Sequence, residues 1–347
     1  MSVLAMDSFD WNGTTIITNR YHSTSGTPAF SNAQTKHGSG ASLLLNTNEY
    51  VTFDIGDQSG NVIIIGFYIY FTAIYASSDT SLLVIKDSVN LEQCSVRLDK
   101  TTHKLKIVKY NVLLGTGSQV LSLDTWYHVE FKLKVVNSTA SGECILKIDG
   151  VEDMNLVGVD TQYGVTDSVE TISIYSFNGT TLYYDDFYVL DTVGSYANDF
   201  IGPYIRIECL LPDGNGNSND FVGSDSNSVD NYLHVDEATA DDDSSYIQSS
   251  TVGHKDGYSF DDLGGSVDAV MAVQTMTRHK KVSGAGSRTA KHFIRRSAAD
   301  YDGDITHTLS DGTYENDVDL WTEDPSTIAQ WTETNVNALE AGLKVQT

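Results

Sequence analysis

Cysteine is scarce in this chain. The three residues, Cys94, Cys144 and Cys209, are an odd number without CxxC spacing, which excludes a disulfide frame and a cysteine-based zinc site. Cys144 falls on the inward face of a predicted strand, so the set reads as reduced thiols, mostly buried. Long apolar runs are missing too. The most apolar, Val62–Phe71, has 10 residues, against roughly 20 for a membrane-spanning helix, and membrane insertion is not expected. Apolar on both faces, it reads as a central strand. The N-terminus, Met1-Ser-Val-Leu-Ala-Met-Asp7, has no basic segment followed by an apolar one. No signal peptide is expected, and synthesis in a cytoplasm is. Positive charge is short: 21 Lys and Arg against 47 Asp and Glu give a net charge of −26. Such a field repels free nucleic acid and favours solubility. Motifs for nucleophilic or metal catalysis are absent: there is no G-x-S-x-G, no Cys–His spacing and no zinc motif.

What the chain has is alternation. From Tyr127 to Val135, the residues Tyr127, Val129, Phe131, Leu133 and Val135 point one way, and His128, Glu130, Lys132 and Lys134 the other. A period of two makes a half-buried strand. Cys144, Leu146 and Ile148 repeat the pattern after the turn residues 137–142, predicting an amphipathic hairpin that needs a second sheet to cover it. Further strands are expected at 43–45, 50–55, 62–71, 81–86, 93–98 and 103–110, and a second hairpin at 168–177 and 181–190 around Asn178-Gly179. Strands every 8–12 residues predict an all-β sandwich over residues 1–198. After Pro203 the texture changes. A strand at 204–211 precedes the Gly/Asn stretch 212–220 and an acidic tract to Asp262. A long hairpin, 267–282 and 288–298, is expected around 283–287, closing strands at 317–321 and 343–345, and a helical turn or two within 325–341. Residues 199–347 therefore read as a second, smaller β-rich domain.

The stretch Asp124-Thr-Trp-Tyr-His-Val-Glu130, followed by Leu146-Lys-Ile-Asp-Gly-Val151, resembles the concanavalin A-like lectin/glucanase superfamily in its laminin G-like form. That resemblance implies a jelly roll and says little about chemistry, because the fold hosts lectins, glycosidases and structural modules. A second set of patches, Tyr184-Asp-Asp-Phe-Tyr-Val-Leu-Asp191, Arg206-Ile-Glu-Cys-Leu-Leu-Pro-Asp-Gly214, Asn231-Tyr-Leu-His-Val-Asp236 and Val336-Asn-Ala-Leu-Glu-Ala-Gly-Leu-Lys-Val345, is similar to virion structural proteins of tailed bacteriophages that carry such a domain. It implies a particle component, with no catalytic residue to carry over.

Candidate sites are few. Asp185 and Asp186, adjacent in a predicted strand, are expected on opposite faces and so cannot act as an acid/base pair. Asp185 holds local structure or, alternatively, calcium. Asp213, Asn215, Asn217 and Asp220 offer oxygens at alternate positions, as calcium loops do. The position of a twelfth-place Glu holds Ser224, and a plain turn is the simpler reading. His128 and Glu130 read as a solvated face. Trp126 reads as packed at a sheet edge, or, if exposed, as a sugar-stacking residue. Tyr68 and Tyr70 share a strand face that Tyr110 and Tyr183 would join, as core or as a sugar platform. One basic island, Arg278, Lys280, Lys281, Arg288, Lys291, Arg295 and Arg296, would dock an acidic partner or pair with the acidic loops of its own chain.

The expectation is a non-enzymatic component of a bacteriophage particle, on the surface of head or tail and adhering to a host surface. It would be homo-oligomeric among other virion proteins and need no cofactor beyond the calcium alternative. The alternative is a lectin-type receptor-binding protein that takes a host-surface glycan. An enzyme ranks behind both, because the Glu-x-Asp-x-x-Glu strand of family 16 glycoside hydrolases is missing.

Overall fold

The alternating stretch at 126–134 becomes a strand whose apolar side is sealed. Tyr127, Val129, Phe131 and Leu133 are buried in one cluster with Cys144, Leu146 and Ile148 of the next strand. A computed structural model describes residues 3–11, 20–60, 62–74, 77–177, 180–265, 267–282, 284 and 286–347. The chain forms two compact units, Met1–Ile207 and Glu208–Thr347.

Unit 1 runs in order through β1 (Val3–Asp7), β2 (Ser23–Ser25), β3 (Ala29–Ser31), β4 (Ser42–Leu45), β5 (Glu49–Asp54), β6 (Val62–Ala73), β7 (Thr80–Lys86), β8 (Glu92–Leu98), β9 (Leu105–Lys109), β10 (Val112–Thr116), β11 (Trp126–Lys134), β12 (Glu143–Ile148), β13 (Val151–Val157), β14 (Thr171–Ser176) and β15 (Thr181–Asp191). Among the described residues these form two antiparallel sheets. One has eight strands in the order β13-β12-β11-β6-β15-β4-β3, with β1 also on β15; the other has seven, β10-β9-β8-β7-β14-β5-β2. Ile63, Ile65, Phe67, Ile69 and Phe71 of β6 meet Leu83, Ile85, Val96, Ile107, Ile172 and Ile174 of the facing sheet in a single core. This is an all-β, jelly-roll-like sandwich. Cys94 and Cys144 are buried in its core, and Cys209 is exposed.

The hairpin β11–β12 pairs as the alternation requires, Phe131 opposite Leu146. The second hairpin does not form. β14 pairs with β5 and β7 in one sheet, whereas β15 pairs with β4 and β6 in the other. The chain changes layers between them, and Asn178-Gly179 lies outside the described residues. A local turn signal carries no information about which sheet the next strand joins.

Unit 2 contains β16 (Pro212–Asn219), β17 (Val222–Gly223), β18 (Ile247–Gln248), β19 (Lys255–Phe260), β20 (Val273–His279), β21 (Thr289–Arg296), β22 (Ala299–Asp302), β23 (His307–Thr308), β24 (Glu315–Trp321), helix α1 (Glu333–Asn337) and β25 (Glu340–Val345). The stretch expected as a turn or calcium loop is strand β16. Its glycines explain why: a Cβ on Gly216 would lie 2.7 Å from the Gly257 carbonyl oxygen, so only glycine lets β19 approach. The expected 267–298 hairpin is also replaced. β20 pairs with β24, and β21 pairs with β22, β23 and β25. Residues 204–211, expected as a strand, form no ladder.

Candidate functional site

β6 lies between β11 and β15, and the registers place three rows across the outer face of the eight-stranded sheet. Trp126, Tyr70 and Tyr183 form one row; His128, Tyr68 and Asp185 the next; Glu130, Gly66 and Tyr188 the third. The first row is aromatic, with Tyr70 5.4 Å from Trp126 and 6.1 Å from Tyr183 between ring centroids. Trp126 is half-buried. Tyr110, expected with this group, instead stacks on Tyr163 at 4.0 Å.

The other two rows are polar and buried, which corrects the expectation of a solvated face. His128 and Glu130 are both 0% exposed. Gly66 makes this arrangement: a Cβ there would sit 2.0 Å from Tyr188 Cζ, so its absence lets the Tyr188 ring cross the strand. The Tyr188 hydroxyl then donates to Glu130 Oε1 at 2.8 Å and lies 3.2 Å from His128 Nε2. With the hydroxyl proton given to Glu130, His128 Nε2 carries a proton and donates to Tyr188. His128 Nδ1 is left buried with no hydrogen-bond partner among the described residues. Burial lowers the His128 pKa to about 4, so the ring is neutral at pH 7. Burial, with Glu130 beside it, pushes the Tyr188 hydroxyl well up.

β15 carries a bulge at Asp185 and Asp186, with Asp186 at φ 45°. The two carboxylates were expected on opposite faces. Instead both reach one loop: Asp185 Oδ2 accepts from the Lys36 backbone N–H at 3.0 Å, and Asp186 Oδ2 lies 2.5 Å from His37 Nε2. An extra residue in one strand resets the alternation. Burial first, and then Asp186, raise the Asp185 pKa to about 8.

Residues 199–207 lie across this polar face as a strap. The backbone N–H groups of Ile201 and Gly202 donate to Glu130 Oε1 at 2.8 and 3.2 Å. The Pro203 carbonyl accepts from the Tyr68 hydroxyl, and Ile207 N–H donates to Asp186 Oδ1 at 2.7 Å. Phe200 sits under Lys132 and Lys147, whose ammonium groups are 4.5 and 4.0 Å from its ring centroid. These bonds explain the missing strand at 204–211. They pin the chain up to Ile207 to buried side chains of the sheet, the Ile207 amide being spent on Asp186, and Tyr204 is 98% exposed.

The two shifted groups oppose each other in pH. Asp185 is raised, so its neutral form supports the fold below the ordinary carboxylate range, and that support is lost as pH rises through about 8. His128 is lowered, so its support is present above the ordinary histidine value and lost as pH falls through about 4. Asp185→Asn is therefore expected to flatten the alkaline side. Between pH 6 and 9 the variant's unit 1 melting temperature falls less than the wild type's, and parallel curves would refute the assignment.

The sequence-derived candidates in unit 2 are dispersed or engaged. Asp213 accepts from Ser259 Oγ at 2.7 Å, Asn215 accepts from the Tyr232 backbone at 3.2 Å, Asn217 bonds Glu340, and Asp220 accepts from the Lys255 backbone at 3.1 Å. These oxygens line a strand and do not converge. The basic island pairs within its own unit: Arg278 with Asp242 at 2.6 Å, Lys280 with Asp243, Lys281 with Asp311 at 3.7 Å, Arg295 with Asp300 at 2.7 Å and Arg296 with Asp324 at 3.4 Å. Lys291 donates to the Gly303 carbonyl at 2.8 Å, and the Arg288 carbonyl accepts from Leu309 N–H at 2.9 Å. Arg278 and Lys280 thus meet the acidic tract before Asp262, whereas Lys281, Arg295 and Arg296 meet acids beyond it.

No protein-family profile matches the chain, and no curated protein matches it. Solved structures do. An endo-β-1,4-glucuronan lyase from the fungus Trichoderma reesei is 13% identical, with a TM-score of 0.39, over 50% of this chain and 93% of that one. The cellulose induced protein Cip1 is 11% identical, with a TM-score of 0.42, over 57% and 99%. The carbohydrate-binding module CBM66 from Bacillus subtilis is 9% identical, with a TM-score of 0.34, over 50% and 96%. What those proteins cleave or bind is their own property. The expectation that this protein is not an enzyme is withdrawn: it rested on one missing glucanase motif, and the structures found include a lyase. The motif's absence excludes a single carboxylate constellation and no more.

Proposed function

We propose that unit 1 binds a glycan on the outer face of its eight-stranded sheet. The observation that carries this is the row Trp126–Tyr70–Tyr183 running directly into the polar rows of Tyr68, His128, Glu130 and Tyr188. Aromatic faces stack on the apolar faces of sugar rings, while a few placed polar groups fix orientation. Lys36, 4.5 Å from the Tyr68 ring centroid, adds a cation suited to an acidic sugar. The strap 199–207 covers the polar rows and Tyr70 and Tyr183 are buried, so the half-buried Trp126 is the first point of contact. Screening the full chain on a glycan array tests this: binding at micromolar strength or better supports it, and no binding to any polysaccharide sinks it.

A second reading, polysaccharide cleavage, is favoured by the Tyr188–His128–Glu130 trio. A neutral imidazole with a bare Nδ1 can take a proton and the adjacent tyrosine hydroxyl can give one, but burial weakens His128 as a base and Tyr188 as an acid, so this reading requires the strap to lift first. On a uronic acid polymer that pair of steps is an elimination. Unsaturated uronate ends appearing on incubation with polyuronates would support it; their absence would leave binding alone. The bacteriophage-particle reading, with virion partners, homo-oligomers and a virion location, is supported by the sequence patches alone and stands behind both.

A further inference from the structure

Unit 2 has a small apolar centre. The buried cluster among the described residues is Ile294, Trp331, Val336, Leu339 and Ala341. Units with little core commonly recruit a staple. Near this cluster three strands from two separate sheets bring together His292 (β21), His307 (β23) and Asp319 (β24), all buried, with ligand atoms within 4.8 Å of one another. His307 Nε2 is 2.9 Å from Asp319 Oδ1, and His292 Nδ1 is 3.9 Å from Asp319 Oδ2.

We propose that His292, His307 and Asp319 form a site for a divalent transition metal of the zinc type, cross-linking the β20–β24 pair to the six-stranded sheet. A buried, unpartnered carboxylate oxygen points to a ligand. Asp319 Oδ2 is buried and has no hydrogen-bond partner among the described residues, although burying an unsatisfied carboxylate oxygen is costly. Gly303 makes room for that oxygen, since a Cβ there would lie 2.0 Å from it.

The surroundings match what metal-bound histidines require. Such a ring offers one nitrogen to the metal and donates the other N–H to a carboxylate or hydroxyl. His307 Nδ1 lies 3.2 Å from Asp317 Oδ2, which leaves Nε2 for the metal. His292 Nε2 lies 2.8 Å from Thr277 Oγ1, and its Nδ1, which a metal would take over from the Thr275 hydroxyl at 3.0 Å, faces Asp319. Asp317 is held in turn by His279 Nε2 at 2.6 Å. Two imidazoles and a carboxylate are a zinc-type donor set, with bonds of about 2.0–2.2 Å and a fourth position left to water or the nearby Thr275 hydroxyl. The widest spacing, up to 4.8 Å, contracts by up to about 1.4 Å to reach the roughly 3.4 Å between ligands of a tetrahedral site.

The test uses the full chain, stripped with chelator and then titrated with Zn²⁺. One equivalent should bind per chain. The unit 2 melting transition should rise with Zn²⁺ and fall again with chelator. Co²⁺ should give the visible bands of a four-coordinate site. Asp319→Asn preserves volume and one acceptor, so it should keep the strand content by circular dichroism and lose at least tenfold in affinity. Asp317→Asn, which touches no metal, should lose affinity while leaving the one-to-one stoichiometry intact. No bound metal in the wild type, an unchanged melting transition, or equal affinity in Asp319→Asn and wild type would each overturn the site.

Discussion

Glu130→Ala is expected to destabilise unit 1 by about 3–5 kcal/mol, because three donors lose one acceptor. Glu130 Oε1 receives the Tyr188 hydroxyl and the Ile201 and Gly202 amides. A buried donor left without a partner costs about 1–3 kcal/mol. The strap amides recover part of that from water once they lift, whereas the Tyr188 hydroxyl, deep in the face, does not. Glu130→Gln keeps the accepting oxygen and replaces Oε2, which is already buried without a partner among the described residues. Its cost should be smaller, about 1–2 kcal/mol. Urea unfolding gives both values. Hydrogen exchange at Ile201 and Gly202 should accelerate in the alanine variant. Equal stability of the two variants, with unchanged exchange, would mean that Glu130 does not anchor the strap.

Gly66→Ala is expected to cost about 3 kcal/mol, a large effect for one added methyl. The new Cβ would meet Tyr188 Cζ at 2.0 Å and its hydroxyl oxygen at 2.2 Å. A tyrosine ring is stiff, and overpacking a buried position costs about 1–3 kcal/mol before any bond is lost. Moving the ring also breaks its contacts with His128 and Glu130. The discriminating experiment is a double-mutant cycle. With Tyr188→Ala already in place the clash is gone, so adding Gly66→Ala should cost well under half its single-variant value. Additive costs would show that Gly66 acts through something other than Tyr188.

The sandwich was legible because the information for it is local. Tyr127, Val129, Phe131 and Leu133 declare their face by alternation, and each is in the core. Layer assignment was not legible. Nothing in Thr171–Ser176 and Thr181–Asp191 states that they join different sheets, because pairing partners are chosen by distant residues. The polar rows were misread for a related reason: His128 and Glu130 alternate like solvated residues, and only the strap, some 70 residues later, buries them. One signal was available. Leu182 and Tyr184 are core on even positions, and Phe187 and Val189 on odd ones, a phase slip that announces the bulge at Asp185 and Asp186. The strap itself carried a strand-like pattern after Pro203, and no local feature separates a strand from a segment whose amides are claimed by side chains. The metal-type cluster of unit 2 was invisible, because His292, His307 and Asp319 have no motif spacing and meet only through strand pairing.

The most direct measurement is the affinity of the strongest array glycan for two paired sets of variants. Tyr70→Ala and Trp126→Ala remove the aromatic row of the eight-stranded sheet. Tyr50→Ala and Tyr175→Ala remove a stacked pair, 5.2 Å apart between β5 and β14, from the opposite sheet. Calorimetric titration should show at least a tenfold loss for the first set and no change for the second. Full affinity in Trp126→Ala and Tyr70→Ala, or a loss confined to Tyr50→Ala and Tyr175→Ala, would contradict the placement of the glycan on the outer face of the eight-stranded sheet.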